Sequence, residues 1–175
     1  MADHLVLVGM MGSGKSTVGR MVARSLGRDF VDVDEEIELA EGVSVAELFA
    51  GRGEAAFREL EEGALARVLA SSVDTVVSVG GGAVLSEANR RRLRGATVVW
   101  LRARPETLVA RVGDGATRPL LAGRDEKGEP VGVAGRLAEL DGRRAPLYRE
   151  VAGTVLDVDD LSPGEVAERV VELCR

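Results

Sequence analysis

The segment Gly9-Met10-Met11-Gly12-Ser13-Gly14-Lys15-Ser16 limits what this chain can fold into more than any other stretch. It follows the apolar run Leu5 to Val8 and precedes a helical pattern from Ser16 to Leu26, so the spacing G-x-x-x-x-G-K-[ST] sits in the strand-to-helix context that its chemistry requires. Gly12 and Gly14 let backbone N–H groups converge on phosphate oxygens, and the following helix aims its positive end at the same point. Lys15 is placed to bridge β- and γ-phosphates, and the Ser16 hydroxyl to meet Mg²⁺. With the chain's own residue frequencies, about 0.003 such matches are expected by accident. Lysine is scarce, since 21 of the 23 basic residues are Arg and only Lys15 and Lys127 remain, which makes coincidence harder still.

A phosphate cradle in this chain works against its overall charge. The net charge is -6 and the pI about 5.0, the wrong sign for broad attachment to nucleic acid or an anionic membrane. Any polyanion must therefore be held by local charge. At 175 residues, 45% hydrophobic and 30% charged, the chain predicts one folded domain, 1–175, with enough apolar material for a core. One Cys and one His exclude a disulfide scaffold and a His-based metal cage. Asp3 and the short apolar run after it do not read as a signal peptide, and no apolar run approaches the roughly 20 residues of a membrane span. The expectation is a soluble cytoplasmic protein.

Short apolar runs at Leu5 to Val8, Phe30 to Val33, Thr75 to Val79, Thr97 to Leu101 and Thr154 to Val158 predict five strands. Helical periodicity fills Ser16 to Leu26, Glu54 to Leu69, Glu87 to Leu93, Glu106 to Val112 and Ser162 to Cys174. The alternation predicts an α/β fold, a parallel sheet covered by helices on both faces. Ser44 with Glu47, and Ser162 with Pro163 and Glu165, read as capped helix starts. Two insertions exceed what the sheet needs: Asp34 to Gly53, read as short helices, and the glycine-rich Gly113 to Gly135, read as a loop.

The cradle alone does not choose a reaction. A guanine-specific switch would carry Asn-Lys-x-Asp, and Lys127 lies instead in Glu126-Lys127-Gly128-Glu129; the chain is also short for a large ATPase core. A small kinase remains. Asp32-Val33-Asp34 follows the second strand and places two carboxylates at the C-terminal edge of the sheet, on one side of an extended segment. One can hold Mg²⁺ and the other accept a proton from an attacking hydroxyl; the plainer reading of Asp34 is a helix cap before Glu35. Arg58 reads as an anion ligand or as an ion pair with Glu54, Glu61 or Glu62. Gly80-Gly81-Gly82 reads as backbone open to a ligand or as a flexible turn. Arg118 reads as a lid guanidinium or a solvated loop residue, and Arg144 as a ligand or a helix-face charge.

Taken in order, Gly9 to Thr17, Asp32-Val33-Asp34, Phe57-Arg58-x-x-Glu61, Gly80-Gly81-Gly82-Ala83, Arg118-Pro119-Leu120-Leu121 and Arg144-Ala145-Pro146-Leu147-Tyr148 resemble the shikimate kinase family over nearly the whole chain. The resemblance implies a P-loop kinase fold with a parallel sheet in order 2-3-1-4-5, a substrate-binding region about 32–61, a lid about 113–130, and a monomer. It implies ATP-dependent phosphorylation of the 3-hydroxyl of shikimate, with Mg²⁺, in aromatic amino acid biosynthesis. It places ATP against Gly12, Ser13, Gly14, Lys15, Ser16, Thr17, Arg111, Arg118 and Pro163, and the metal against Ser16 and Asp32. Shikimate falls to Asp34, Arg58, Gly80, Gly81, Gly82 and Arg144, with Phe49 and Phe57 as walls. Asp34, Lys15 and Arg118 carry the chemistry. Residues 123–130 are longer and more charged than the pattern, leaving Arg124 and Arg136 without a role. Trp100 and Cys174 read as packing residues, and His4 as having no chemical role. The rival readings are another small-metabolite kinase, such as a gluconate kinase, and a nucleotide-binding module without turnover; the second has no use for Asp34 and Arg118.

Overall fold

The computed structural model describes residues 2–113, 121 and 132–174. Leu5–Val8 forms β1, and all four of its side chains are buried, because a parallel strand with helices on both faces has no solvent side. It pairs in parallel with β3 (Thr75–Ser78) on one side and β4 (Thr97–Arg102) on the other, so Leu5 lies opposite both Val76 and Thr97. β2 (Asp29–Asp32) adds outside β3, and β5 (Thr154–Asp157) outside β4. The resulting order is β2-β3-β1-β4-β5, as the resemblance implies. The chain changes sides of β1 between β3 and β4, which opens a crevice beyond the carboxyl ends of the central strands.

Helix α1 (Lys15–Leu26) leaves the end of β1 through Gly14, at φ 94°, and no side chain caps its first amides. Those donors stay available to a ligand. Its far end closes on Gly27 at φ 64°, where the Gly27 and Arg28 amides satisfy the last carbonyls. Helices α2 (Val33–Glu41) and α3 (Val45–Leu69) follow β2; α4 (Glu87–Leu93) and α5 (Pro105–Val112) flank β4; α6 (Val133–Val151) and α7 (Pro163–Glu172) flank β5. The capping boxes expected at Ser44/Glu47 and Ser162/Glu165 both form. None of the described helices is long and apolar enough to cross a membrane.

Two local expectations change. Asp32-Val33-Asp34 is not extended throughout: Asp32 ends β2, and α2 has begun at Val33, because the Asp32 carboxylate caps that helix by accepting the Asp34 amide at 3.1 Å. Asp34 is therefore a first-turn residue and not the cap. The helix expected from Glu54 is present as the second part of α3, separated by the break at Gly53 (φ 80°, ψ 170°) from a short helix that starts at Val45, as expected within 34–53. The 19-residue α6 was hidden by Gly135, Gly142 and an interior Pro146, all poor helix formers. Packing overrides them, since Leu137, Leu140, Arg144, Tyr148 and Val151 share one buried stripe. The expected 113–135 insertion thus ends sooner. Most of its lid, including Arg118 and Arg124, lies outside the described residues.

Candidate active site

The glycines at the end of β1 are fixed by close approach. A Cβ on Gly9 (φ 144°) would stand 2.5 Å from the Leu101 carbonyl oxygen, and one on Gly12 (φ 82°) 2.8 Å from Val112 Cγ2. Lys15 is nearly buried and curls back so that Nζ donates to the Met10 carbonyl at 2.9 Å. The Ser16 hydroxyl donates to Asp32 Oδ2 at 2.5 Å and lies 3.4 Å from Ser78 Oγ. The Asp32 carboxylate thus does two jobs, with one oxygen capping α2 and the other holding Ser16. Two adjacent hard oxygens at the foot of a phosphate cradle suit a Mg²⁺ ion that keeps several waters and takes its other ligands from phosphate. Among the described residues no cluster of three or more His, Cys, Asp or Glu offers a dedicated metal cage.

The triple glycine after β3 is where the acceptor-side residues meet. A Cβ on Gly80 would collide with Glu61 Oε1 and stand 2.9 Å from Asp34 Oδ1; one on Gly81 would stand 3.3 Å from Arg144 Nη1; one on Gly82 would overlap the Arg58 guanidinium. Side chains from α2, α3 and α6 therefore converge on backbone that only glycine permits. Arg144, buried on α6, has Nη1 without a hydrogen-bond partner, and Asp34 Oδ1 and Glu61 Oε1 are likewise buried and unpartnered. Such orphaned polar atoms mark a place built for a polar ligand. Arg58 Nη1 donates to Glu61 Oε2 at 2.6 Å, while Nε and Nη2 reach Glu54 Oε1 at 3.3 and 3.1 Å. The ion-pair reading of Arg58 is thus met, with Glu54 and Glu61 as its partners, and the side chain lies against Gly82.

Burial first, then the neighbouring Glu61 and Asp32 carboxylates, push the Asp34 pKa up to about 7; Lys15 and Arg58 pull against them. Burial also raises Glu61, with Arg58 opposing, and lowers Arg144. A carboxyl poised near neutrality beside a phosphate cradle is suited to accept a proton at physiological pH.

One cleft of about 460 Å³ is lined by Gly12 to Thr17, Asp32, Asp34, Gly80, Gly81, Arg111 and Pro163, together with Val158, Leu161 and Val166. The structure thus brings together the cradle, the two aspartates, two of the three glycines and both adenine-side candidates. Arg111 Nη2 donates to the Val158 carbonyl at 3.1 Å, which fixes its place at the rim. Gly82, Arg58 and Arg144 do not line this cleft, although Arg144 and Arg58 lie against Gly81 and Gly82. Phe49 and Phe57 pack on each other, centroids 4.8 Å apart, and Arg58 lies 5.4 Å from the Phe57 ring. They do not line the cleft.

Two residues escaped assignment from sequence. Glu61 is buried at i+4 from Phe57; an acid on that apolar stripe was the available signal. Tyr148 is fully buried, and its hydroxyl donates to the Gly81 carbonyl at 2.5 Å and lies 3.7 Å from Met10 Sδ. It ties the glycine turn to the cradle, a link no local pattern reveals. Trp100 is buried as expected, and Cys174 Sγ meets the Val170 carbonyl at 3.5 Å.

Known proteins can now be set beside this geometry. The family model for shikimate kinase matches residues 11–175. The chain belongs to the shikimate kinase family. A shikimate kinase of Moorella thermoacetica is 45% identical over 173 residues, covering 98% of this chain and 94% of the relative. One from Mycobacterium tuberculosis is 43% identical over 171 residues, covering 98% and 93%. Among solved structures, a shikimate kinase from Acinetobacter baumannii in complex with shikimate superposes with a TM-score of 0.90 at 33% identity, covering 99% of this chain and 93% of that one. A gluconokinase from Sinorhizobium meliloti, at 22% identity and a TM-score of 0.53, shares the fold alone. The gluconate kinase reading loses ground accordingly.

Proposed function

We propose that this shikimate kinase family member transfers the γ-phosphoryl group of ATP to the 3-hydroxyl of shikimate, giving shikimate 3-phosphate and ADP, a step of aromatic amino acid biosynthesis. The observation that carries the reading is the position of Asp34, whose buried, unpartnered oxygen faces the triple glycine in the cleft that also holds the cradle. In its charged form Asp34 takes the hydroxyl proton as the oxygen attacks phosphorus and the bond to the ADP oxygen breaks. Gly12, Ser13, Gly14, Ser16 and Thr17 hold the phosphates through the loop and the uncapped start of α1, and Lys15 turns from the Met10 carbonyl toward the β- and γ-phosphates. Ser16 and Asp32 would hold Mg²⁺, which would supply positive charge to offset the negative charge of the phosphates. Arg111 and Pro163 flank the adenine.

On the acceptor side, Arg58 and Arg144 suit a carboxylate, which Arg recognises in bidentate fashion. Asp34 and the backbone of Gly80, Gly81 and Gly82 suit the ring hydroxyls, and Phe49 and Phe57 back the pocket. The substrate-binding region spans about 32–61, and Arg118 acts from a lid at about 113–130. The protein works as a cytoplasmic monomer. An ADP-release assay across shikimate, gluconate and nucleoside monophosphates tests the assignment: turnover with shikimate is expected, and its absence overturns it.

A further inference from the structure

Arg58 is not open to an incoming anion in this structure. Glu61, with a side chain 2% exposed, holds Nη1, while a single oxygen of Glu54, whose side chain is 50% exposed, spans Nε and Nη2. That Nε/Nη2 edge is one of the two forks by which a guanidinium grips a carboxylate. Glu61 is a fixed partner. Glu54 is a removable one: it is the first residue after the break at Gly53, one turn before Arg58, with its other side in water. Its field also reaches Arg144, whose buried Nη1 has no hydrogen-bond partner. Glu54 is thus an exchangeable counter-ion near two arginines, Arg58 and Arg144.

We propose that Glu54 is an intramolecular stand-in for the carboxylate of the acceptor, occupying the Arg58 fork until a substrate carboxylate displaces it, and thereby keeping small anions off Arg58. This rests on the reading above that Arg58 and Arg144 bind the shikimate carboxylate. A helix-surface pair of the ordinary i,i+4 kind would steady α3 and leave acceptor affinity alone. A stand-in instead competes with the acceptor, so its removal strengthens acceptor binding.

The test is the affinity for shikimate, by titration calorimetry without nucleotide and by KM in turnover, for the wild type and for Glu54→Gln, which keeps the shape and removes the charge. The expected result is a Kd and KM for shikimate lower by about two- to five-fold, the span of an exposed ion pair, with the KM for ATP unmoved. Inhibition by acetate, competitive with shikimate, should strengthen by a similar factor. In an Arg58→Gln background the Glu54→Gln gain should vanish, because the fork it uncovers is gone. Unchanged or weaker shikimate binding in Glu54→Gln, with a wild type that binds shikimate normally, overturns this inference and leaves the proposed function standing. A wild type that fails to bind shikimate overturns both.

Discussion

Asp34 and Glu61 approach the same glycine: a Cβ on Gly80 would strike Glu61 Oε1 and lie 2.9 Å from Asp34 Oδ1. Two carboxylates from different helices are thus brought to one point of backbone with little water around them. Burial first, then the charge of Glu61, push the Asp34 pKa up to about 7.

The first consequence is a pH profile. Turnover that uses ionised Asp34 should rise with pH through a limb near 7 in kcat/KM. Glu61→Gln removes a negative neighbour and should move that limb to lower pH. Asp34→Asn should abolish turnover while ATP binding survives, because Asp34 lies on the acceptor side; calorimetric titration with ATP checks the second half.

The same shift predicts stability. The ordinary Asp34 value of 3.8 rises to about 7 on folding, so between those values the folded chain keeps a proton that the unfolded chain has lost. The contribution favours the folded state below pH 3.8 and is lost as pH rises toward 7, a penalty on the order of 4 kcal/mol at pH 8. Asp34→Asn should therefore raise the unfolding midpoint of the unliganded protein more at pH 8 than at pH 5, measured by denaturant titration.

Alanine at Gly80 or Gly82 tests the convergence itself. Gly80→Ala meets two carboxylates and Gly82→Ala displaces the Arg58 guanidinium. Both should raise the KM for shikimate by about ten-fold or more, the effect of misplacing a binding group, with ATP affinity little changed. Gly142→Ala, where nothing lies within 4 Å of the added Cβ, is the control and should be neutral or stabilising.

Tyr148→Phe strips the donor from the Gly81 carbonyl. Leaving that acceptor unpaired in a buried setting should cost about 1–3 kcal/mol, visible in denaturant unfolding. Because Arg144 sits one turn earlier on the same helix, the variant should also weaken shikimate binding.

Ser16→Ala leaves Asp32 capping α2 through its other oxygen, so the fold should persist. The Mg²⁺ concentration for half-maximal activity should rise, and an unchanged requirement would remove Ser16 from the metal site.

Much of this protein was legible in its residues because the features that determine it are local. A Gly-Lys-Ser turn between an all-apolar strand and a helix sets the phosphate cradle, and continuous apolar runs such as Leu5 to Val8 mark strands covered on both faces. Six motifs in order named the family and, through it, the sheet order. Helix α6 was missed because Gly and Pro argue locally against helix, whereas its stability comes from a buried stripe against the rest of the molecule. The resemblance already divided Asp32 and Asp34 between metal and substrate, but their contacts needed the structure: Asp32 caps α2 and accepts from Ser16, and Asp34 Oδ1 is buried without a hydrogen-bond partner. The ion pairs of Arg58 with Glu54 and Glu61 were legible as i,i±4 and i,i+3 spacing, but the burial of Glu61 and the link from Tyr148 to Gly81 were not. Their meaning lies in distances between α2, α3, α6 and the glycine turn, and burial and charge at such meeting points depend on which segments fold together. The sequence by itself determined the cradle, the strands and the family; only the tertiary structure decided that an Asp34 oxygen is buried without a hydrogen-bond partner and how deeply Glu61 is buried beside Arg58, because both depend on which segments pack together.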